Sequence, residues 1–369
     1  MTRVIEKKKS RRRSLIAAVI VILVAAALAA VALWLNRSGR LAPSGERTEV
    51  YNFASDAGTV TCGVGDGLAV ASSSGLRVFD RTGMQTVGET YVASRPVLTA
   101  AGTYGAAYDI GGEQVRIFTD SGPVRTLKAD GGVTAVRLNE KGWCAVCAGE
   151  SGYKGAVTLY RPSGAVAYKW LSGEGYVLTA AVSRDGRYLS VLTLTDSGSR
   201  VVFLKTDRDT PVGEAVLPGE LLLDIGYTEK GALYGISGDA LYRLDEHKGA
   251  EEAYRYEDAS LSGWSFSGGP LLALSAYRTG GACRVLDLSG QGPEELCSFE
   301  EGIISLAADR NTVAVLTSAG LSIYDRTAGE LTAEYKEAAS GLSVSLTEDD
   351  RAIVAERNTA AVYSLKTAG

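Results

Sequence analysis

The chain has 369 residues, 22% of them charged and 46% hydrophobic, with a formal net charge of −5 at pH 7. That total hides a division: residues 1–40 carry nine Lys or Arg and one Glu, a net of +8, so the remainder stands near −13. So acidic a remainder repels nucleic acid and anionic lipid, and a single histidine, His247, argues against His-based triads and His-rich zinc or copper centres.

The chain opens on a basic tail, residues 1–14, in which Arg3, Lys7, Lys8, Lys9, Arg11, Arg12 and Arg13 face only Glu6. Leu15 to Leu35 follows, 21 residues without a charge, about 31 Å as a helix and long enough to cross a bilayer core. The basic excess before it predicts a cytoplasmic N-terminus and an extracytoplasmic remainder, with Trp34 near the outer interface. A cleaved signal peptide competes, through Ala30 and Ala32, but its apolar region usually runs only about 7–15 residues. The expectation is therefore an uncleaved, single-pass anchor in the cell membrane. Residues 36–47 (NRSGRLAPSGER) read as a short polar tether.

From residue 48 onward the chain repeats one phrase: a short strand, a turn rich in Asp, Ser and Gly, and a second short strand. Its anchors are Phe79, Phe118, Tyr160, Leu204, Leu244, Leu286, Tyr324 and Tyr363, spaced by 39, 42, 44, 40, 42, 38 and 39 residues. Each interval suits one four-stranded blade of a β-propeller. The unit around Tyr324 runs ISLAAD, TVAVLTS, GLSIYDRT and LTAEYKE, alternating apolar and polar residues as half-buried strands require. The last unit supplies only three strands before Gly369, while Thr48 to Phe53 resembles the outer strands elsewhere. Residues 48–369 are therefore expected to form an all-β, eight-bladed propeller, closed by that segment as the outermost strand of the last blade. Closure removes an edge that would otherwise invite aggregation. Seven blades is the competing count.

The chemistry-bearing residues are sparse. Cys144 and Cys147 form CAVC on a predicted strand, where residues three apart face opposite ways, so structural thiols are expected rather than a redox pair. Cys283 and Cys297 flank the turn LSGQGPE on adjacent strands. They could sit opposite each other, which leaves a cross-strand disulfide and two free thiols both open in an exported domain. His247 falls in a DEHKG turn, Asp207 and Asp209 lack the remainder of a calcium loop, and GVGDG from Gly63 has no following helix to cradle phosphate. No catalytic set, metal site or cofactor is expected.

The turns DRTG at Asp80 and DRTAG at Asp325 resemble quinoprotein-type propeller repeats, and SRDGRYLSV from Ser183 is similar to the first hairpin of WD-repeat propellers. No Trp-Asp dipeptide ends a strand, and only Trp170 sits where the quinoprotein docking tryptophan recurs. The whole layout resembles an uncharacterised family of membrane-anchored propellers of Gram-positive bacteria, a resemblance that implies no activity. In a propeller, function lies in loops that vary freely. Loops joining second to third strands share a rim with those joining blades, and here they offer Tyr153, Lys154, Tyr277 and Arg278, aromatic and cationic types suited to interfaces. The expected role is a scaffold that presents this rim to another envelope protein or polymer. An enzyme or small-ligand sensor with its site in the central channel is the alternative.

Overall fold

The computed structural model describes residues 48–277, 282–290 and 292–365 of the chain. The basic tail, the apolar segment 15–35, the tether and Arg278 lie outside the described residues, among which no helix is long and apolar enough to cross a membrane.

Alternation of apolar and polar residues produces short antiparallel strands, and these assemble into eight four-stranded sheets. Blades 1 to 7 span residues 60–90, 96–128, 133–171, 176–218, 222–255, 259–299 and 303–335, each a plain meander. Blade 8 takes three strands from residues 343–364 and its outermost from Thr48–Asn52, which pairs antiparallel with Thr359–Ser364. The expected closure is thus present, and its energetics are visible. Tyr51 and Phe53 are 0% and 6% exposed, and the Tyr51 ring meets Phe79 of blade 1 edge-on at 6.0 Å. One strand therefore completes the last sheet and seals it to the first.

A blade has two apolar faces and buries them only against its neighbours. Eight hydrophobic clusters are found among the described residues, one at each junction between consecutive blades. Two junctions show how sequence tunes the spacing. Trp143 of blade 3 lies over Gly186 of blade 4, where an added Cβ would stand 2.2 Å from the indole, and Phe266 of blade 6 occupies the same kind of space over Gly226 of blade 5.

The meander creates two unlike rims. The hairpin rim carries the turns from first to second and from third to fourth strand. Many of these are closed by a carboxylate on its own backbone: Asp80 accepts from the amides of Thr82 (2.8 Å) and Met84 (3.1 Å), while Gly83 supplies the left-handed residue at φ 83°. The connection rim carries the loops from second to third strand and the links between blades, one of which holds a short 3-10 turn, Lys336–Ser340.

Candidate interaction face

On the connection rim the inner strands depart from a regular ladder. In blades 3 to 7 one extra residue is inserted near the upstream end of the inner strand: Thr134, Leu178, Leu223, Ser262 and Ile304. Such a bulge re-aims the side chains beside it. Leu223 and Ile304 are consequently 49% and 46% exposed, although strict alternation would pair an exposed position with a polar residue. Neither was singled out from the sequence. The available signal was the unbroken apolar run Leu221–Leu222–Leu223 and the pair Ile303–Ile304, which period-2 patterning does not accommodate.

Large exposed apolar side chains gather on this side. Val92, Tyr153, Tyr176, Leu221, Leu223, Tyr277, Ile304 and Leu342 lie on connection-rim loops or at the upstream ends of inner strands, against Met84, Val124, Val166, Trp264 and Leu331 toward the hairpin rim. Of the residues expected from the sequence, Tyr153 is half exposed and Tyr277 is 65% exposed. Lys154 is not a free cation: its ammonium stands 4.6 Å from the Tyr176 ring centroid and 3.2 Å from that residue's hydroxyl. Tyr153 and Lys154 belong to blade 3 and Tyr277 to blade 6. They share a rim but are separated by three blade steps, so the structure does not gather them into one patch.

Below the mouth, three blades contribute to one polar contact. Arg137 of blade 3 reaches past blade 4 and donates from Nη2 to Asp224 Oδ1 of blade 5 at 2.6 Å. The other carboxylate oxygen accepts from the Trp264 indole of blade 6 at 3.4 Å, and Oδ1 also accepts from its neighbour's amide, Ile225 N, at 2.9 Å. These groups satisfy one another and tie together inner strands that are not adjacent. A lateral cavity of about 320 Å³ opens between blades 2 and 3, walled in part by Val146, Ala148, Ala156 and Val166. At its edge Lys169 donates to Glu150 and Asp130 at 2.8 and 2.9 Å, and these two hydrogen bonds raise its pKa to about 12.

The hairpin rim uses charge for construction. Arg326 of blade 7 is buried and makes five hydrogen bonds: two to the Asp287 carboxylate of blade 6, at 2.5 and 3.2 Å, and three to the carbonyls of Ser267, Gly269 and Asp309. Burial pushes the Asp287 carboxyl up, but the Arg326 and Ser289 hydrogen bonds outweigh it and hold it below the usual carboxylate range. Around blades 8, 1 and 2 the balance is reversed. Burial and the neighbouring Asp349 charge raise the Asp66 carboxyl, and burial with Asp66 and Asp120 raises Glu348.

Cys144 and Cys147 lie on opposite faces of their strand, in the clusters shared with blades 2 and 4 respectively. Cys283 and Cys297 are both free thiols. The register pairs Cys283 with Phe299 and Cys297 with Val285, a diagonal relation, whereas a disulfide needs Cβ atoms about 3.8 Å apart. They do not sit opposite each other. Cys283 instead contacts the Ser275 hydroxyl at 3.2 Å, and burial pushes the Cys297 thiol up to about 12. Among the described residues no group of three or more His, Cys, Asp or Glu is placed to share a metal ion. His247 is an exposed turn residue beside Glu246.

These features define an all-β, eight-bladed propeller with an apolar, loop-built connection rim. The chain belongs to the family described as "Family of unknown function (DUF5711)", which it matches over residues 46–257, from the closing strand to the end of blade 5. No curated protein matches it. Among solved structures it is similar to the C-terminal WD40 domain of Sif2, at 14% identity and a TM-score of 0.59, covering 86% of this chain and 98% of that one. Hydrazine synthase of Kuenenia stuttgartiensis also matches, at 14% identity and a TM-score of 0.46, covering 86% and 95%. At these identities the likeness establishes fold alone.

Proposed function

We propose that this protein is a non-catalytic interaction platform, held at the membrane by residues 15–35, that offers its connection rim to another envelope protein or polymer. The observation that carries this reading is the uneven distribution of exposed apolar side chains, eight toward the connection rim against five toward the hairpin rim. A contiguous apolar patch marks an interface, whereas apolar residues scattered singly are ordinary surface. The weight therefore falls on blades 5 to 7, where Leu221, Leu223, Tyr277 and Ile304 are exposed on consecutive blades. The described chain enters the propeller at the hairpin rim, at Thr48.

The test is cross-linked capture from envelopes with the full chain. Joint replacement of Tyr277 and Leu223 by Ser should lower the yield of captured partner several-fold, while Met84→Ser with Leu331→Ser should leave it unchanged. The reverse pattern, or equal yields from both variants, defeats the reading.

A further inference from the structure

Within the connection rim one sector differs from the others. In blades 5 to 7, Leu221 and Leu223, Tyr277 and Ile304 are exposed on consecutive blades. The links between blades beside them are acidic: residues 219–221, 256–258 and 300–302 contain Glu220, Glu257, Asp258, Glu300 and Glu301 and no basic residue, while the loop that carries Tyr277 adds one cation, Arg278, outside the described residues. Asp239 adds a further exposed carboxylate between the second and third strands of blade 5. Glu220 is half buried; the other five are exposed. The Glu220 side chain lies 3.8 Å from Arg255, which is itself bonded to Glu252.

We infer that this sector is a docking site for a basic amphipathic segment of a partner protein. Its apolar residues would seat on Leu221, Leu223, Tyr277 and Ile304, and its Lys or Arg side chains on the acidic loops. The inference rests on the interaction-platform reading above and specifies its partner by charge and hydropathy. Two features work together. The bulges at Leu223 and Ile304 turn apolar side chains out of the blade junctions. The carboxylates around them repel an acidic partner and exclude a purely apolar one, because burying unpaired charge is costly. A cationic segment relieves both conditions at once.

A defined probe makes this testable: an 18-residue Leu/Lys amphipathic peptide with a central photoreactive benzoylphenylalanine. It would be presented to the full chain in zwitterionic nanodiscs, with empty discs as background. Cross-links should map to the segments holding Leu221 to Leu223, Tyr277 or Ile304. Their yield should fall at least tenfold in Leu223→Ser/Ile304→Ser and in Glu300→Lys/Glu301→Lys. A Leu/Glu peptide and a Lys/Ser peptide of equal length should give background yield. Cross-links mapping elsewhere, yields unchanged in either variant, or equal labelling by the Lys/Ser peptide overturn the inference. If envelope capture depends on Leu223 and Tyr277 while the Leu/Lys peptide fails, the platform reading stands and the partner class falls. If capture is indifferent to the connection rim, both fall.

Discussion

At the hairpin rim, Asp80, Asp245, Asp309 and Asp325 each accept hydrogen bonds from two amides of their own turn, and Asp287 is held by Arg326. At the connection rim, Glu257, Asp258, Glu300 and Glu301 stand exposed beside exposed Leu223, Tyr277 and Ile304. The two rims have similar raw material and use it differently. One has its charge consumed by local turns and a buried ion pair, so substitutions there should act on stability. In blades 5 to 7 the other has spare charge and spare apolar area, so substitutions there should act on binding. Four measurements separate the rims, and a fifth examines the cysteines between them.

The largest effect is expected at the closing strand, which enters from the hairpin rim. Deleting residues through Phe53 removes Tyr51 and Phe53, buried aromatics each worth about 3–5 kcal/mol, and exposes the edge of blade 8. Cooperative thermal unfolding should be lost, whereas deletion only through Asn36 should leave the melting temperature unchanged. Equal melting temperatures would sink the closure argument.

Next is the Asp287–Arg326 pair, whose side chains are only 10% and 4% exposed. Asp287→Asn leaves a buried guanidinium without its counter-charge and should cost about 3–5 kcal/mol in chemical denaturation. The same pair sets a pH dependence. Because the folded Asp287 carboxyl is depressed, its stabilisation is complete above the unfolded value, about pH 4. It is lost as pH falls through the lower folded value.

Asp66 and Glu348 should have the opposite sign. Their folded carboxyls are raised, so each destabilises the ionised protein at pH 7. Stability is regained as pH falls through the folded value toward that of the unfolded chain. Asp66→Asn should therefore raise the melting temperature at pH 7, and the gain over wild type should shrink toward pH 4.5. A variant less stable than wild type at pH 7 would show that the Asp66 charge is wanted where it stands.

Smaller still, Leu223→Ser with Ile304→Ser at the connection rim should shift unfolding by no more than about 0.5 kcal/mol, in contrast to its expected effect on capture. A loss of several kcal/mol would mean that these residues serve the fold. Finally, reductant should not change the melting temperature at all, and the protein unfolded without reductant should titrate five thiols. Fewer would indicate a bridge.

Much of the fold was legible because it repeats. The spacing from Phe79 to Tyr363 located a third strand in every blade, and the likeness of Thr48 to Phe53 to the other outer strands placed the closure. Period-2 patterning also put Cys144 and Cys147 on opposite faces. The candidate site was legible only in outline. Tyr153 and Tyr277 could be assigned to one rim from strand order, but their separation by three blades follows from the closed ring. Leu223 and Ile304 were missed because a one-residue bulge, which no composition rule announces, reverses which side chains face outward.

The sequence by itself determined the class of fold and the strand that closes it, and favoured eight blades over seven, since each depends on local periodicity and on counting; the eight sheets then settled the count. Only the tertiary structure decided which distant residues meet: Arg326 with Asp287 thirty-nine residues away, Arg137 with Asp224 past an intervening blade, and Cys283 with Ser275 rather than with Cys297. The physical reason is that alternation assigns a side chain to a face and no further. Ring closure, register and bulges then choose its neighbours, and those are properties of the assembled sheets.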